Sequence, residues 1–345
     1  MTDTHLEAPA LPEAVPAAPA RRLKLARLRD FALVPAIAAL MIWGYTIKPD
    51  VFFTKSFFID SVLKNMAELA LVVLAEALVL IVGKFDLSLE SVVGIAPAIA
   101  IFLVVGNTSA LGAPWPTWTV LPTALVCGAL VGAFNGLLIV RFRMSAFIVT
   151  LAMLITLRGL QLTIVGGATI SNVNRRVPTM DNLASVRILT IPLAVWIAVF
   201  AFAAGILVLG YTRIGRALYA VGGNPDAARA AGIRVERVIW TTFIVAGMLA
   251  ALAGLLLSAR LGSVAANQGD KMIFQVFAAA VIGGISLNGG KGSLLGALTG
   301  VVLLTLIERV LTLAAVPSDQ IQMVNGLVIL LALILARLTS GRAQD

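Results

Sequence analysis

The chain is poor in charge, in cysteine and in histidine. Charged residues make up 12% of it, about half the share of a soluble domain. Cys127 is the one cysteine and lies inside an apolar run, which excludes an internal disulfide and any cysteine-only metal cluster. His5 is the one histidine and sits in the N-terminal tail, so zinc or triad chemistry that needs a histidine held in a structured site is excluded too. No nucleotide loop is present: in Gly290-Lys291-Gly292-Ser293 a glycine follows the lysine, and the upstream glycine is missing. Gly284-Ile-Ser-Leu-Asn288 lacks the final glycine of a nucleophile elbow. These absences disfavour an intramembrane enzyme and leave no cofactor or metal site to expect.

What is there is apolar surface. Sixty per cent of the 345 residues are hydrophobic and the mean hydropathy is +1.00, more than a soluble globule of this length can bury. The solvent for most of the chain is therefore lipid. The net charge of +9 would suit nucleic acid, but the basic residues flank apolar runs, as a bilayer surface requires, and no nucleic-acid partner is expected.

About 20 apolar residues cross the hydrocarbon core as a helix. Ten candidates stand out: 31–47, 66–82, 88–105, 119–140, 144–165, 191–211, 238–258, 272–287, 293–313 and 321–338. The eighth is short and glycine-rich, which suits a broken or re-entrant element. The second and third are separated only by Gly-Lys-Phe-Asp-Leu. The reading is an all-α membrane protein of about ten transmembrane helices: a disordered Ala/Pro-rich and basic tail over 1–30, one transmembrane domain over 31–338, and a short C-terminal tail over 339–345. With both ends in the cytoplasm, sixteen basic residues fall on the inner side, eight on the outer, and Arg158 and Arg309 inside spans. That bias favours the orientation.

Two blocks repeat in order. Gly128-Ala-Leu-Val-Gly132-Ala-Phe-Asn-Gly136 matches Gly292-Ser-Leu-Leu-Gly296-Ala-Leu-Thr-Gly300, and Ile81-Val-Gly83-Lys-Phe-Asp-Leu87 resembles Val281-Ile-Gly283-Gly-Ile-Ser-Leu287. They suggest two halves, about 66–165 and 238–338, as in transporters whose access alternates around a seam. Glycines four apart stack on one helix face and let a neighbour approach, so helix packing is their ordinary use. Asn135 and Thr299 in these helices suit either a pore wall or a bond to the next helix. Glu308 and Arg309 are adjacent, point about 100° apart and are not expected to pair.

The loop 212–238 carries the densest local signal. Gly222 and Gly223 permit a sharp turn; Asn224 suits a helix cap, Pro225 its first position and Asp226 its positive end. Ala227, Ala228, Ala230 and Ala231 give a smooth short helix, and Gly232 suits its end. Such a helix between two spans fits a docking knob or an ordinary capped connector.

At this loop the sequence resembles the permease subunits of bacterial ABC importers of the ribose/xylose/arabinose type. The likeness also takes in Phe85-Asp-Leu-Ser88, Gly132-Ala-Phe-Asn-Gly136, Ser145-Ala-Phe-Ile-Val-Thr-Leu151 with Arg158-Gly159, and Val281 to Gly292. The resemblance implies that Gly223, Asn224, Pro225, Asp226, Ala227, Ala228 and Gly232 belong to a coupling element that seats on a separate ATPase subunit. It also implies a solute-binding protein on the outer face, a second permease copy (identical or paralogous), and a place in the bacterial inner membrane. Polar positions in otherwise apolar spans, namely Asp86, Ser88, Asn135, Thr150, Gln275 and Asn325, are the candidates for the translocation pathway. Lys84 and Glu90 replace glycines common in that family, and Ile273 and Gln275 stand where acidic residues are usual. Related permeases for branched-chain amino acids, nucleosides or a signalling sugar are the alternative, and a secondary transporter is a more distant one.

Overall fold

A computed structural model describes residues 33–105 and 115–340. The tail expected over 1–30, the first two residues of the first apolar run and residues 341–345 of the C-terminal tail lie outside the described residues. The chain is mostly helical. In order, α1 is Val34–Ile47 and α2 Pro49–Phe52; a π-helical stretch, Ser56–Leu63, then runs straight into α3, Lys64–Ile81. Next come α4 (Leu89–Val105), α5 (Val120–Arg141) and α6 (Ala146–Ile164). Two short helices, α7 (Val173–Arg176) and α8 (Pro178–Ser185), precede a two-residue hairpin, β1 (Arg187–Ile188) and β2 (Ile191–Pro192), in which Arg187 pairs with Pro192. The remainder is α9 (Leu193–Tyr211), α10 (Arg213–Gly223), α11 (Pro225–Ala230), α12 (Val235–Leu261), α13 (Met272–Ile282), α14 (Leu294–Leu313) and α15 (Ser318–Ser340).

Each of the ten apolar runs contains one of these helices. Five are long and apolar enough to cross a membrane: Thr117–Arg141, which includes a 3₁₀ turn before α5, then α6, α9, α12 and α14. The apolar helices α1, α4 and α13 are shorter. The eighth run is helical only over Met272–Ile282; at Gly284, with φ +85°, the chain turns away. Eleven residues rise about 16 Å, roughly half the hydrocarbon thickness.

The core forms around α3 and α4, which are largely apolar and buried on all sides over most of their length. Every residue from Ala67 to Ala77 is buried, as is every residue from Leu89 to Ala98. A helix apolar all round belongs inside a bundle rather than on its surface. The long helix α12 lies against both and against α5. The α5–α12 seam is built on glycine. A side chain at Gly128 would overlap the Gly247 carbonyl, and one at Gly132 the Phe243 carbonyl. At Gly136 it would meet Trp240, whose indole donates to the Ala133 carbonyl at 3.0 Å. The second glycine block works differently. Gly292 precedes α14, and only Gly296 and Gly300 lie in the helix, where their close neighbours are Gly283 and Ala279 of α13.

Ion pairs tie distant helices. Arg260 of α12 grips both oxygens of the buried Glu68 of α3, at 2.7 and 2.8 Å. Arg158 of α6 donates to Glu90 of α4 at 2.9 Å and to Asp270 at 3.3 Å, while the second oxygen of Glu90 accepts the Ile273 amide in the first turn of α13. Glu90 therefore holds down the free N-terminus of a short helix, where a carboxylate is favourable. Arg309 pairs with Glu308 at 2.9 Å, against expectation. The long arginine side chain folds back and spans the angle that separates adjacent positions, while the same nitrogen also reaches Asn65.

Candidate functional site

Two regions gather the residues singled out in the sequence. The first is the loop between α9 and α12. Thr212 caps α10, its hydroxyl accepting from the Gly215 amide at 3.2 Å. The helix then continues through Gly222 and Gly223, so these glycines do not make the expected turn. The chain turns one residue later, at Asn224, which has φ −157° and ψ 102°. The Asn224 side chain accepts from the amides of Asp226 and Ala227, each at 3.0 Å, and starts α11 with Pro225 in its first turn. Gly232, at φ +81°, ends it. There the Ile233 amide reaches back to Ala228 and the Gly232 amide to Arg229, both at 3.0 Å. This paired closure needs a left-handed residue at Gly232.

The alanines of α11 do not share one face. Ala228 is buried under the helix, whereas Ala227, Ala230 and Ala231 are exposed together with Pro225 and Asp226. Arg229 binds Asp226 at 2.9 Å and Glu236, in the first turn of α12, at 2.8 Å. The outward surface is a small, smooth patch beside a local charge cluster.

The second region lies where α3 gives way to α4. Residues 84–86 are irregular and 87–88 turn into α4, and the segment's side chains divide between two sides. Phe85 and Leu87 face an apolar cavity of about 290 Å³, also lined by Phe147, Phe277, Val281 and Leu287. Asp86 and Ser88 face the other way, into the core, and are fully buried. The Ser88 amide and hydroxyl donate to Asp86 at 2.9 and 2.6 Å, the Asn135 amide donates to Ser88 at 2.8 Å, and the Asp86 amide donates to Glu76 at 3.4 Å. The Thr150 hydroxyl bonds back to the Ala146 carbonyl at 2.8 Å, with the Phe85 carbonyl at 3.5 Å.

The structure thus brings Asp86, Ser88, Asn135 and Thr150 together, inside a single chain rather than on an open wall. Their shared task is to fix the backbone that carries Phe85 and Leu87. Gln275 and Asn325 stand apart from this cluster, half-buried on α13 and α15, the two helices that supply Phe277 and Ile329 to the cavity. Sequence reasoning missed a further buried set. Gln268 donates to the carbonyls of Val93 and Gly254 and exchanges bonds with Ser258, and Gln161 reaches the Ala265 carbonyl at 3.1 Å. Gln161, an amide inside an apolar run, carried a signal of the same kind as Asn135; Gln268, in a polar loop, carried none.

Residues 58–333 match the family described as branched-chain amino acid transport system / permease component. Among curated proteins, the chain is 32% identical over 300 residues to the ribose import permease of Escherichia coli K12, covering 87% of this chain and 91% of the relative. It is 35% identical over 311 residues to the autoinducer 2 import system permease of Klebsiella pneumoniae, covering 90% and 87%. It is 27% identical over 379 residues to the xylose transport system permease of E. coli K12, covering 93% and 95%. No solved structure matches the chain.

Proposed function

The chain belongs to this family of permease components, and from that membership we propose that it is the membrane subunit of an ATP-driven importer of a monosaccharide. It is a multi-pass inner-membrane protein and a transport subunit. On our reading it spans the bilayer about ten times with both termini in the cytoplasm, which the sixteen-to-eight distribution of basic residues supports. A separate subunit hydrolyses ATP, a solute-binding protein delivers the sugar from outside, and a second permease copy completes the pore.

The observation that carries this reading is α11, a short helix capped at both ends by its own residues and exposed between two long apolar helices. Asn224, Pro225, Asp226 and Gly232 set its geometry, Ala228 anchors it inward, and Ala227 and Ala230 present its smooth side to the ATPase. Gly223 joins it to α10. The cavity walled by Phe85, Leu87, Phe277 and Leu287 is the narrow part of the route, with Gln275 and Asn325 as further polar positions on α13 and α15. Asp86, Ser88, Asn135 and Thr150 serve the route by positioning its wall. Two halves are supported by a local likeness at the repeated block: Ser88 donates its amide to Asp86, and Asn288, 200 residues later, donates its amide to Ser286 at 3.3 Å.

Uptake of labelled ribose and xylose by vesicles holding the permease, its genomic-neighbour ATPase and the binding protein tests the proposal. ATP-dependent accumulation of at least one is expected. Ala227→Glu, on the exposed side of α11, is expected to abolish both uptake and co-purification of the ATPase at unchanged permease abundance. Full assembly and uptake in that variant would return α11 to a plain connector.

A further inference from the structure

Gly222 is helical, in the last turn of α10, and its backbone angles are open to any residue. Glycine inside a helix is destabilising relative to alanine, so it calls for a reason other than conformation. The reason is contact. A side chain at Gly222 would overlap the Ile81 carbonyl oxygen and lie 2.6 Å from the Gly290 nitrogen. Gly223, its neighbour, has nothing within 4 Å of the corresponding position.

Three backbones cross here with no side chain between them. The Gly290 amide donates to the Ile81 carbonyl at 2.8 Å. Gly289 and Gly290, at φ +78° and +67°, sit so close that a side chain on the first would come within 2.7 Å of the Gly83 Cα, and one on the second within 2.6 Å of the Gly223 nitrogen. The Tyr219 hydroxyl, one turn before Gly223, donates to the Gly292 carbonyl at 2.9 Å. The end of α10 is thus wedged against the exit of α3 and the turn between α13 and α14. Each of those segments leads into the cavity wall: Ile81 is four residues from Phe85 and six from Leu87, and Leu287 is three residues before Gly290.

We propose that Gly222 is a positioning residue of the transport cycle, a bare backbone bearing through which displacement of α11 reaches both walls of the cavity. This rests on the reading of α11 as the ATPase-docking element. Side chains absorb motion by changing rotamer; packed backbone has no such slack, so the three segments move together. Two residues before the turn into α11, the glycine admits the contact that a methyl group would forbid.

The test compares Gly222→Ala with Gly210→Ala, an exposed position in the last turn of α9 with nothing within 4 Å, in the permease–ATPase complex in vesicles, with Cys127 replaced by serine and a single reporter cysteine at Leu287. The readout is the change in maleimide labelling rate on adding nucleotide, which needs no knowledge of the solute. Gly222→Ala is expected to keep ATPase co-purification and to cut the nucleotide-driven change by about two- to thirtyfold. Gly210→Ala is expected to match the parent. A parental response in Gly222→Ala, or an equal loss in both, overturns the bearing. Loss of co-purification in Ala227→Glu, with a parental response in Gly222→Ala, keeps the docking reading and removes only this one. Normal co-purification in Ala227→Glu removes the docking reading itself. Should Gly222→Ala fail to accumulate, Tyr219→Phe keeps the helix and deletes one bond across the junction. A reduced response, by about twofold, supports the bearing, and an unchanged response overturns it.

Discussion

The loop around α11 and the segment 84–88 solve the same problem in opposite ways. Both must hold a few residues of non-helical chain in one conformation between helices. The loop does so with partners two to seven residues away: Asn224 on Asp226 and Ala227, Arg229 on Asp226 and Glu236. All of these groups face outward. The segment does so with buried partners: Asp86 and Ser88 on each other, then Glu76 ten residues back and Asn135 forty-seven residues on. Self-contained bonds leave the loop's outer surface free for a partner. Shared bonds tie the segment to α3 and α5, so that it moves only with them. An exposed polar group that loses its partner finds water, whereas a buried one does not.

The strongest way to break the comparison is at Asp86. Asp86→Ala leaves the Ser88 amide and hydroxyl without their acceptor in the core, and a loss of about 1–3 kcal/mol is expected, read as a lower midpoint of thermal unfolding in nanodiscs. Recovery of the wild-type midpoint by Asp86→Ala would show that the cluster is not what fixes the segment. Next is Asn135→Leu. Ser88 keeps its bond to Asp86, so a smaller loss of about 0.6 kcal/mol is expected, the usual size of one interhelical bond in a membrane protein. An effect as large as that of Asp86→Ala would put Asn135, not Asp86, at the centre of the cluster. The smallest effect on the whole fold is expected at Asn224→Ala. The cap contributes about 1 kcal/mol to α11. Because that helix is short and exposed, the loss should show as faster local amide exchange at Asp226 and Ala227, with the midpoint unchanged. A fall in the global midpoint would mean that the loop is less self-contained than its bonds indicate.

The same contrast explains what could be read from the sequence. Each apolar run holds a helix because lipid-compatible composition is a local property. The cap at Asn224 and the stop at Gly232 were legible because their partners are two to five residues away. Asp86, Ser88, Asn135 and Thr150 each stood out as polar residues in apolar surroundings, but their mutual bonding depends on how α5 and α6 pack beside α4, which no local pattern encodes. Gly222 and Gly223 were misread as a turn because a glycine that bends the chain and one that admits another backbone look alike in sequence. Ala228 and Ala227 are equally small, and only the helix phase decides which one is buried.

The half-length α13 bears on how the protein is made. A largely apolar segment of eleven residues is too short to settle across a bilayer alone, and an amide in its first turn depends on Glu90, some 180 residues earlier in the chain. The bond that holds its first turn is complete only when α4 stands beside it. In the last third of the chain α12 and α14 are long and apolar enough to partition by themselves, whereas α13 between them leans on tertiary contacts, so the carboxylate of Glu90 bears on how that helix comes to rest as well as on the finished fold.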